Sequence, residues 1–408
     1  MNPLSAVRRW FSFLGGRFVS STRPLSARPG LAIVRAPDGY LIYDVNARRV
    51  HHLNPAAALV FDLCDGTRVL DDLRTELEPL LGADAWDETR AWVSGALRHG
   101  PLQTGAAPPS DPRLASPEEC AALIASLRDD DQPLAAYICQ HRLAELSPDD
   151  AEAWYRLGDL AQMVGRRQDA RAAYEHYRDL LTEPDTAMDL ILVSLRDEQP
   201  PPRASDTCVT QLFDSFAQTY DEHMVEQLQY CAPELLMGSI AKAHPGLRDL
   251  DVLDVGCGTG LSGGRLRPIA RQLTGIDLSE AMLARARDRK SYDALHLTEI
   301  TAFLERPDIG PFDLIWATDV LIYFGDLQQV VRPAASHLRP GGLLAFTVEA
   351  AAMPPFQLTD SGRFAHHRTH IVHVATMAGL SVETLEEGIL RYEYGDPVPG
   401  LVVVLGRT

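Results

Sequence analysis

Between residues 31 and 97 the hydrophobic pattern changes period once. Apolar positions alternate at 31–35, 40–45 and 49–53, with turn signals at Pro37-Asp38-Gly39 and Asn46, and predict three short antiparallel strands. Helical spacing follows. Asn54 before Pro55 reads as an N-cap with proline at the first helical position, and the helix over 56–63 stops at Asp65-Gly66. Thr67 can cap a second helix carrying Leu70, Leu73, Leu77 and Leu80, and a third spans 86–97. These elements form a small α+β domain, 31–100.

Pro108, Pro109 and Pro112 predict a linker over 101–115. Helical spacing returns over 116–195, where Trp154-x-x-Leu157-Gly158, Ala170 and Tyr174 stand at helix-pair offsets, and Gln199-Pro200-Pro201-Pro202-Arg203 marks a second linker, 196–207. From 208 to 408 apolar strands alternate with helical stretches, as at 272–277, 312–317 and 343–348, which predicts right-handed βαβ units and a mostly parallel, Rossmann-like α/β sheet.

The chemistry concentrates where the first of those strands ends, in Val252-Leu253-Asp254-Val255-Gly256-Cys257-Gly258-Thr259-Gly260. Alternate glycines let a chain turn sharply from strand to helix and let bare backbone approach a ligand. A dinucleotide fingerprint wants glycine where Leu261 stands, and a P-loop wants a lysine that this turn lacks. Asp254 would repel a pyrophosphate but suits the ammonium and sulfonium of S-adenosylmethionine. Asp277 ends the next strand, where an acid can accept both ribose hydroxyls; Ser279 can cap the following helix, and Met282 can lie against an adenine face. Thr318 and Asp319 follow a third apolar strand at its carboxyl end, where parallel sheets place ligands.

These motifs, in this order, resemble the class I S-adenosylmethionine-dependent methyltransferases over about half of the chain, 213–407. The resemblance implies that the glycine turn wraps the methionine moiety, that Asp277 with Leu278 and Met282 holds the ribose and adenine, and that Glu299 and Ile300 meet the adenine. Many members carry aspartate where Glu299 stands. The family also closes its sheet with an antiparallel hairpin, which segments 389–393 and 401–405, joined through Asp396-Pro397-Val398-Pro399-Gly400, resemble, Pro and Gly supplying the turn. Phe213, Phe216 and Tyr220 resemble the helical lid that many such enzymes fold over the cofactor. The stretch Leu53-Asn54-Pro55-Ala56-Ala57-Ala58-Leu59-Val60-Phe61-Asp62-Leu63-Cys64-Asp65-Gly66-Thr67 resembles the PqqD family of peptide chaperones, implying a winged-helix-like module for 31–100. It also implies a leader peptide added as a strand beside 49–53, against the helix over 86–97, with Arg48 and Arg49 available to leader acids. The helices of 116–195 are similar to two degenerate tetratricopeptide repeats.

With 38 Lys and Arg against 56 Asp and Glu, a net charge of −18 argues against a general nucleic-acid partner. Six cysteines without metal-like spacing predict reduced thiols in a cytoplasmic protein, and no apolar run approaches the ~18 residues of a membrane span. The first thirty residues carry Arg8, Arg9, Arg17, Arg23 and Arg28, no acid, and the apolar patch Trp10-Phe11-Ser12-Phe13-Leu14, and read as a mobile basic arm, 1–30.

For catalysis, the window from Gly362 to His373 offers His366 as general base and Arg363 as anchor for an acidic group; Tyr323, Glu349, Arg391 and Glu393 are further acceptor-pocket candidates. His366, His370 and His373 would share a face if helical, but no carboxylate or thiolate is spaced with them, so no metal is expected. The leading expectation is a methyltransferase that recruits a precursor peptide and methylates it in ribosomal peptide natural product biosynthesis. The alternatives are a small-molecule O- or N-methyltransferase with a regulatory front domain, and a non-catalytic peptide-binding scaffold.

Overall fold

The structure is a computed structural model describing residues 22–81, 83–393 and 395–408. Arg8, Arg9, Arg17 and the apolar patch at Trp10 lie outside the described residues. The chain divides into two compact units, Met1–Thr182 and Glu183–Thr408.

In the first unit, β2 (Leu31–Ala36), β3 (Gly39–Asp44) and β4 (Arg49–Leu53) form an antiparallel three-stranded sheet with β3 central. A shorter strand, β1 (Leu25–Ala27), precedes them and pairs antiparallel with β5 (Leu102–Thr104). Strands thus stand where the sequence reads as arm and linker. Leu25 and Leu102 are fully buried in the core shared with Ile42, Phe61, Leu73 and Trp86, and Arg28 is built in through Nε to the Leu102 carbonyl (2.9 Å) and Nη2 to that of Leu97 (2.9 Å).

α1 (Pro55–Leu63) starts as expected, with Asn54 accepting from the Ala57 amide at 2.8 Å. Thr67 does not cap the next helix. Its amide and hydroxyl donate to Asp65, and α2 (Leu70–Leu81) begins three residues later, followed by α3 (Ala83–His99). Two helical pairs complete the unit: α4 (Pro117–Asp129) with α5 (Pro133–Leu146), and α6 (Ala151–Met163) with α7 (Arg167–Leu180). Gly158 is required where it stands, since a Cβ there would lie 2.2 Å from the Tyr174 ring.

The second unit opens with α8 (Thr186–Leu195), so the helical stretch of 116–195 divides at Thr182. Then come α9 (Asp206–Phe216), the single turn α10 (Tyr220–Glu222) continued by a π-helical turn (His223–Gln227), and α11 (Ala232–Ala243). The sheet unit runs β6 (Leu250–Val255), α12 (Gly263–Leu266), β7 (Ala270–Asp277), α13 (Glu280–Arg289), β8 (Ala294–Leu297), α14 (Ile300–Leu304), β9 (Phe312–Ala317), α15 (Gln328–Ser336) and β10 (Leu338–Ala350). It closes with β11 (Phe356–Leu358), β12 (Phe364–His366), α16 (Arg368–Met377), β13 (Leu380–Glu393) and β14 (Asp396–Arg407). Strands β8, β7, β6, β9 and β10 are parallel in that order, and β14 and β13 extend the sheet antiparallel from β10. This is the mixed, Rossmann-like sheet expected for 208–408, with apolar layers on its two faces.

The closing hairpin differs in detail from the sequence reading. It turns between Glu393 and Asp396, and Pro397 and Pro399 lie inside β14. β14 meets β10 only from Gly400 onward, so at both prolines it has a strand partner on one flank alone, where a missing N–H is tolerated. No helix among the described residues is long and apolar enough to cross a membrane.

Candidate functional site

The glycine turn leaves β6 with Gly256, Gly258 and Gly260 at φ of 65°, 54° and 85°, a region that side chains with a Cβ rarely adopt. A Cβ on Gly256 would strike Val320 at 2.4 Å, whereas one on Gly258 would enter open space. The Gly258 amide donates to Asp277 Oδ2 at 2.8 Å and the Ser279 amide to Oδ1 at 2.9 Å. These bonds support the ionised carboxyl against burial, which pushes its pKa up. Each oxygen keeps a lone pair for an incoming hydroxyl. Ser279 also caps α13, accepting from Met282 at 3.0 Å.

Between turn and lid lies a cavity of about 70 Å³. Of the cofactor residues expected from the sequence, Gly256, Gly258, Asp277, Leu278, Met282, Ile300, Thr318 and Tyr220 line it. Tyr323 lines it too, its hydroxyl pushed up to about 12 by burial. Val209, Phe213, Asp319 and Val320 complete the wall; Val209 and Val320 had no motif to betray them. Asp254, Cys257, Thr259, Gly260 and Glu299 do not reach it. Asp254 is 1% exposed beneath the turn, its Oδ2 accepting from the Tyr292 hydroxyl at 2.7 Å, and burial raises its pKa to about 7. It therefore braces the turn from below. Cys257 is a buried filler whose thiol burial pushes up, and Glu299 caps α14 through the Ala302 amide at 2.8 Å.

A lid covers the cavity. Phe213 and Tyr220 pack edge to face at 6.1 Å, and Phe213 meets Tyr323 at 5.8 Å. Asp221 fastens this segment to the turn and to α13, accepting from the Thr259 hydroxyl and from Arg289 Nη2 at 2.6 Å, while Asp214 accepts from the Ser279 hydroxyl.

The catalytic assignments from sequence need correction. His366 lies in β12, not on a helix with His370 and His373; it is fully buried between Phe356 and His370 and its Nε2 donates to the Phe324 carbonyl at 2.9 Å. Burial lowers its pKa to about 4, so it is a structural neutral imidazole away from the cavity. Arg363 is paired within the protein: Nε donates to Glu349 at 2.7 Å and Nη2 to Glu393 at 2.6 Å. Arg391, its side chain 3% exposed, joins the same network, with Nε to Glu393 at 2.8 Å, Nη1 to Asp319 Oδ2 at 2.7 Å, and Nη2 to Glu349. The network reaches the cavity only through Asp319.

A larger open groove of about 570 Å³ sits at the amino ends of the strands. Its arginines are internally paired, Arg271 and Arg339 with Asp251 and Arg306 with Asp308, and parallel sheets place ligands at the opposite end.

Residues 253–344 match the family described as Methyltransferase domain, so the chain carries a methyltransferase domain. The malonyl-[acyl-carrier protein] O-methyltransferase of Pseudescherichia vulneris is 31% identical over 181 residues, which is 44% of this chain and 66% of that protein. The ubiquinone biosynthesis O-methyltransferase of Coxiella burnetii (strain Dugway 5J108-111) is 31% identical over 103 residues, 25% of this chain and 44% of its own length. The chain thus spans less than two thirds of these relatives. The solved magnesium protoporphyrin IX methyltransferase of Synechocystis PCC 6803 superimposes with a TM-score of 0.40 at 16% identity, covering 50% of this chain and 99% of that one.

Proposed function

We propose that this chain is an S-adenosyl-L-methionine-dependent methyltransferase that recruits a precursor peptide through its amino-terminal α+β module and methylates it. The carrying observation is the cavity at the carboxyl ends of β6, β7 and β9. Its Gly258 faces open space and its Asp277 is held by two backbone amides, a cradle that suits an adenosyl ligand with free hydroxyls.

Gly256 and Gly258 hold the methionine part, Asp277 accepts from the ribose hydroxyls, and Met282, Ile300 and Leu278 supply the apolar adenine slot. When bound, S-adenosyl-L-methionine supplies a methyl group activated by a sulfonium. Tyr220, Phe213 and Tyr323 exclude water and align the acceptor with that methyl, which is most of what an in-line transfer asks of a protein.

The peptide half of the reading is supported by β4. Among the described residues it pairs with β3 on one side and with no strand on the other, an open edge for backbone hydrogen bonds from an added strand. A second reading, transfer to a small or carrier-borne acceptor, is favoured by the O-methyltransferases that match the carboxyl-terminal half.

The test is calorimetry on the full chain, first with S-adenosyl-L-methionine and then with the leader peptide encoded beside it. Micromolar affinity for both supports the proposal, and cofactor binding without leader affinity transfers it to the second reading. Loss of cofactor binding itself would overturn both.

A further inference from the structure

We propose that Asp319 takes up the proton of the methyl acceptor, which makes the acceptor group a hydroxyl or an amine N–H and not a carboxylate. This rests on reading the cavity as a methyl-transfer site.

Asp319 directly follows Thr318 beyond β9 and adopts φ of 55°, a left-handed conformation that a non-glycine residue holds at a cost. It is fixed there twice: its amide donates to the Thr347 hydroxyl at 3.1 Å, and Arg391 Nη1 donates to Oδ2 at 2.7 Å. Its side chain is only 9% exposed and lies in the cavity wall. Among the described residues its other oxygen, Oδ1, has no hydrogen-bond partner. A buried carboxylate oxygen left without a donor is costly. Because Asp319 lines the cavity, a group held there can supply the missing donor.

Val320 packs against Gly256, so Asp319 stands beside the glycine turn. On the proposed reading the backbone of that turn holds the methionine part, and the donor we assign to Asp319 Oδ1 is the acceptor. A carboxylate acceptor brings no proton at neutral pH and would meet the charge of Asp319 directly. The arginines able to offset that charge, Arg363 and Arg391, are already committed to Glu349, Glu393 and Asp319. A protic acceptor fits. Its oxygen or nitrogen lone pair forms the bond to the methyl carbon, the carbon–sulfur bond breaks with its electron pair going to sulfur, and the proton passes to Oδ1 of Asp319.

The test needs no acceptor. Sinefungin carries an amine-bearing carbon in place of the methylated sulfur and so presents N–H donors where the acceptor meets the methyl; S-adenosylhomocysteine presents none. Calorimetry on the full chain should give sinefungin an advantage of about tenfold or more, the size of a charge-assisted hydrogen bond. Asp319→Asn should reduce the advantage to about threefold or less while leaving S-adenosylhomocysteine affinity within about twofold. Should that variant not fold, Asp319→Glu, which keeps a charge for Arg391 but displaces the oxygen, must shrink the advantage as well. Equal affinities in the native chain, or an advantage that survives both substitutions, overturn the proposal. Failure of either ligand to bind instead overturns the methyl-transfer reading beneath it.

Discussion

The hydroxyl of Tyr292 donates to Asp254 Oδ2 at 2.7 Å, directly under the glycine turn. The Tyr292 ring also lies within about 3 Å of where a Cβ on Gly260, Gly263 or Gly275 would fall, so one side chain both pairs the buried acid and packs three glycine positions. Tyr292→Phe keeps the packing and deletes the donor. It should cost about 1–3 kcal/mol, read as a fall of several degrees in Tm. An unchanged melt would show the hydrogen bond to be unimportant.

Asp254 also makes a pH prediction. Its pKa stands near 7 in the folded chain against 3.8 for the free side chain, a rise caused mainly by burial. Above pH 7 the folded state carries a buried charge that the unfolded chain keeps in water. As pH falls through 7 the folded carboxyl takes up a proton and the cost is relieved, completely so below about 4. Asp254→Asn is neutral at every pH. Its stability relative to the native chain should therefore be highest at pH 8 and decline towards pH 5, as paired melts would show; a difference constant with pH would contradict the assignment.

What was legible in the sequence was what is local in the chain. The glycine turn, Asp277, the Ser279 cap and the Asn54 cap are each decided within about five residues, and they stand where the pattern placed them. The network of Asp319, Glu349, Arg363, Arg391 and Glu393 draws on residues up to 74 positions apart, and its arginines carry no sign in the sequence of being spoken for. Strands β1 and β5 hide for the same reason: three residues give no periodicity, and their pairing spans the whole module. Pro397 and Pro399 mislead in another way. Proline reads as a turn, yet where one flank of a strand is open the missing N–H costs nothing.

Gly258→Ala separates folding from ligand binding. With φ of 54° the alanine costs about 1–2 kcal/mol, and its methyl meets no neighbour because it points into open space. The chain should fold with a modest drop in Tm but lose S-adenosyl-L-methionine affinity by at least tenfold. Unaltered affinity by calorimetry would mean that the turn does not wrap the cofactor.

Arg391→Met tests the buried network. It leaves Glu349 and Asp319 without their shared cation inside the protein, and breaking a buried pair from one side costs about 3–5 kcal/mol. Urea denaturation should register that loss, whereas removal of the exposed pair partner Lys242, which meets Glu386 at 3.1 Å, should shift stability by less than about 1 kcal/mol. Comparable losses in the two variants would mean that the network is solvated in solution.

Asp221 is expected to set how fast ligand enters. It holds the lid, whose Phe213 and Tyr220 line the cavity, to the Thr259 hydroxyl and to Arg289, so entry past the lid should depend on releasing it. When the competent state is a minor one, the apparent association rate follows its population. Asp221→Asn removes the charge from a partly exposed cluster and should weaken the closed state by about 1 kcal/mol, roughly fivefold in the open fraction. The open state gains, so stopped-flow association of S-adenosyl-L-methionine should speed up by about that factor. Dissociation should quicken as well, since the latch also retains what has entered. An association rate indifferent to the substitution would mean that the lid opens without releasing Asp221.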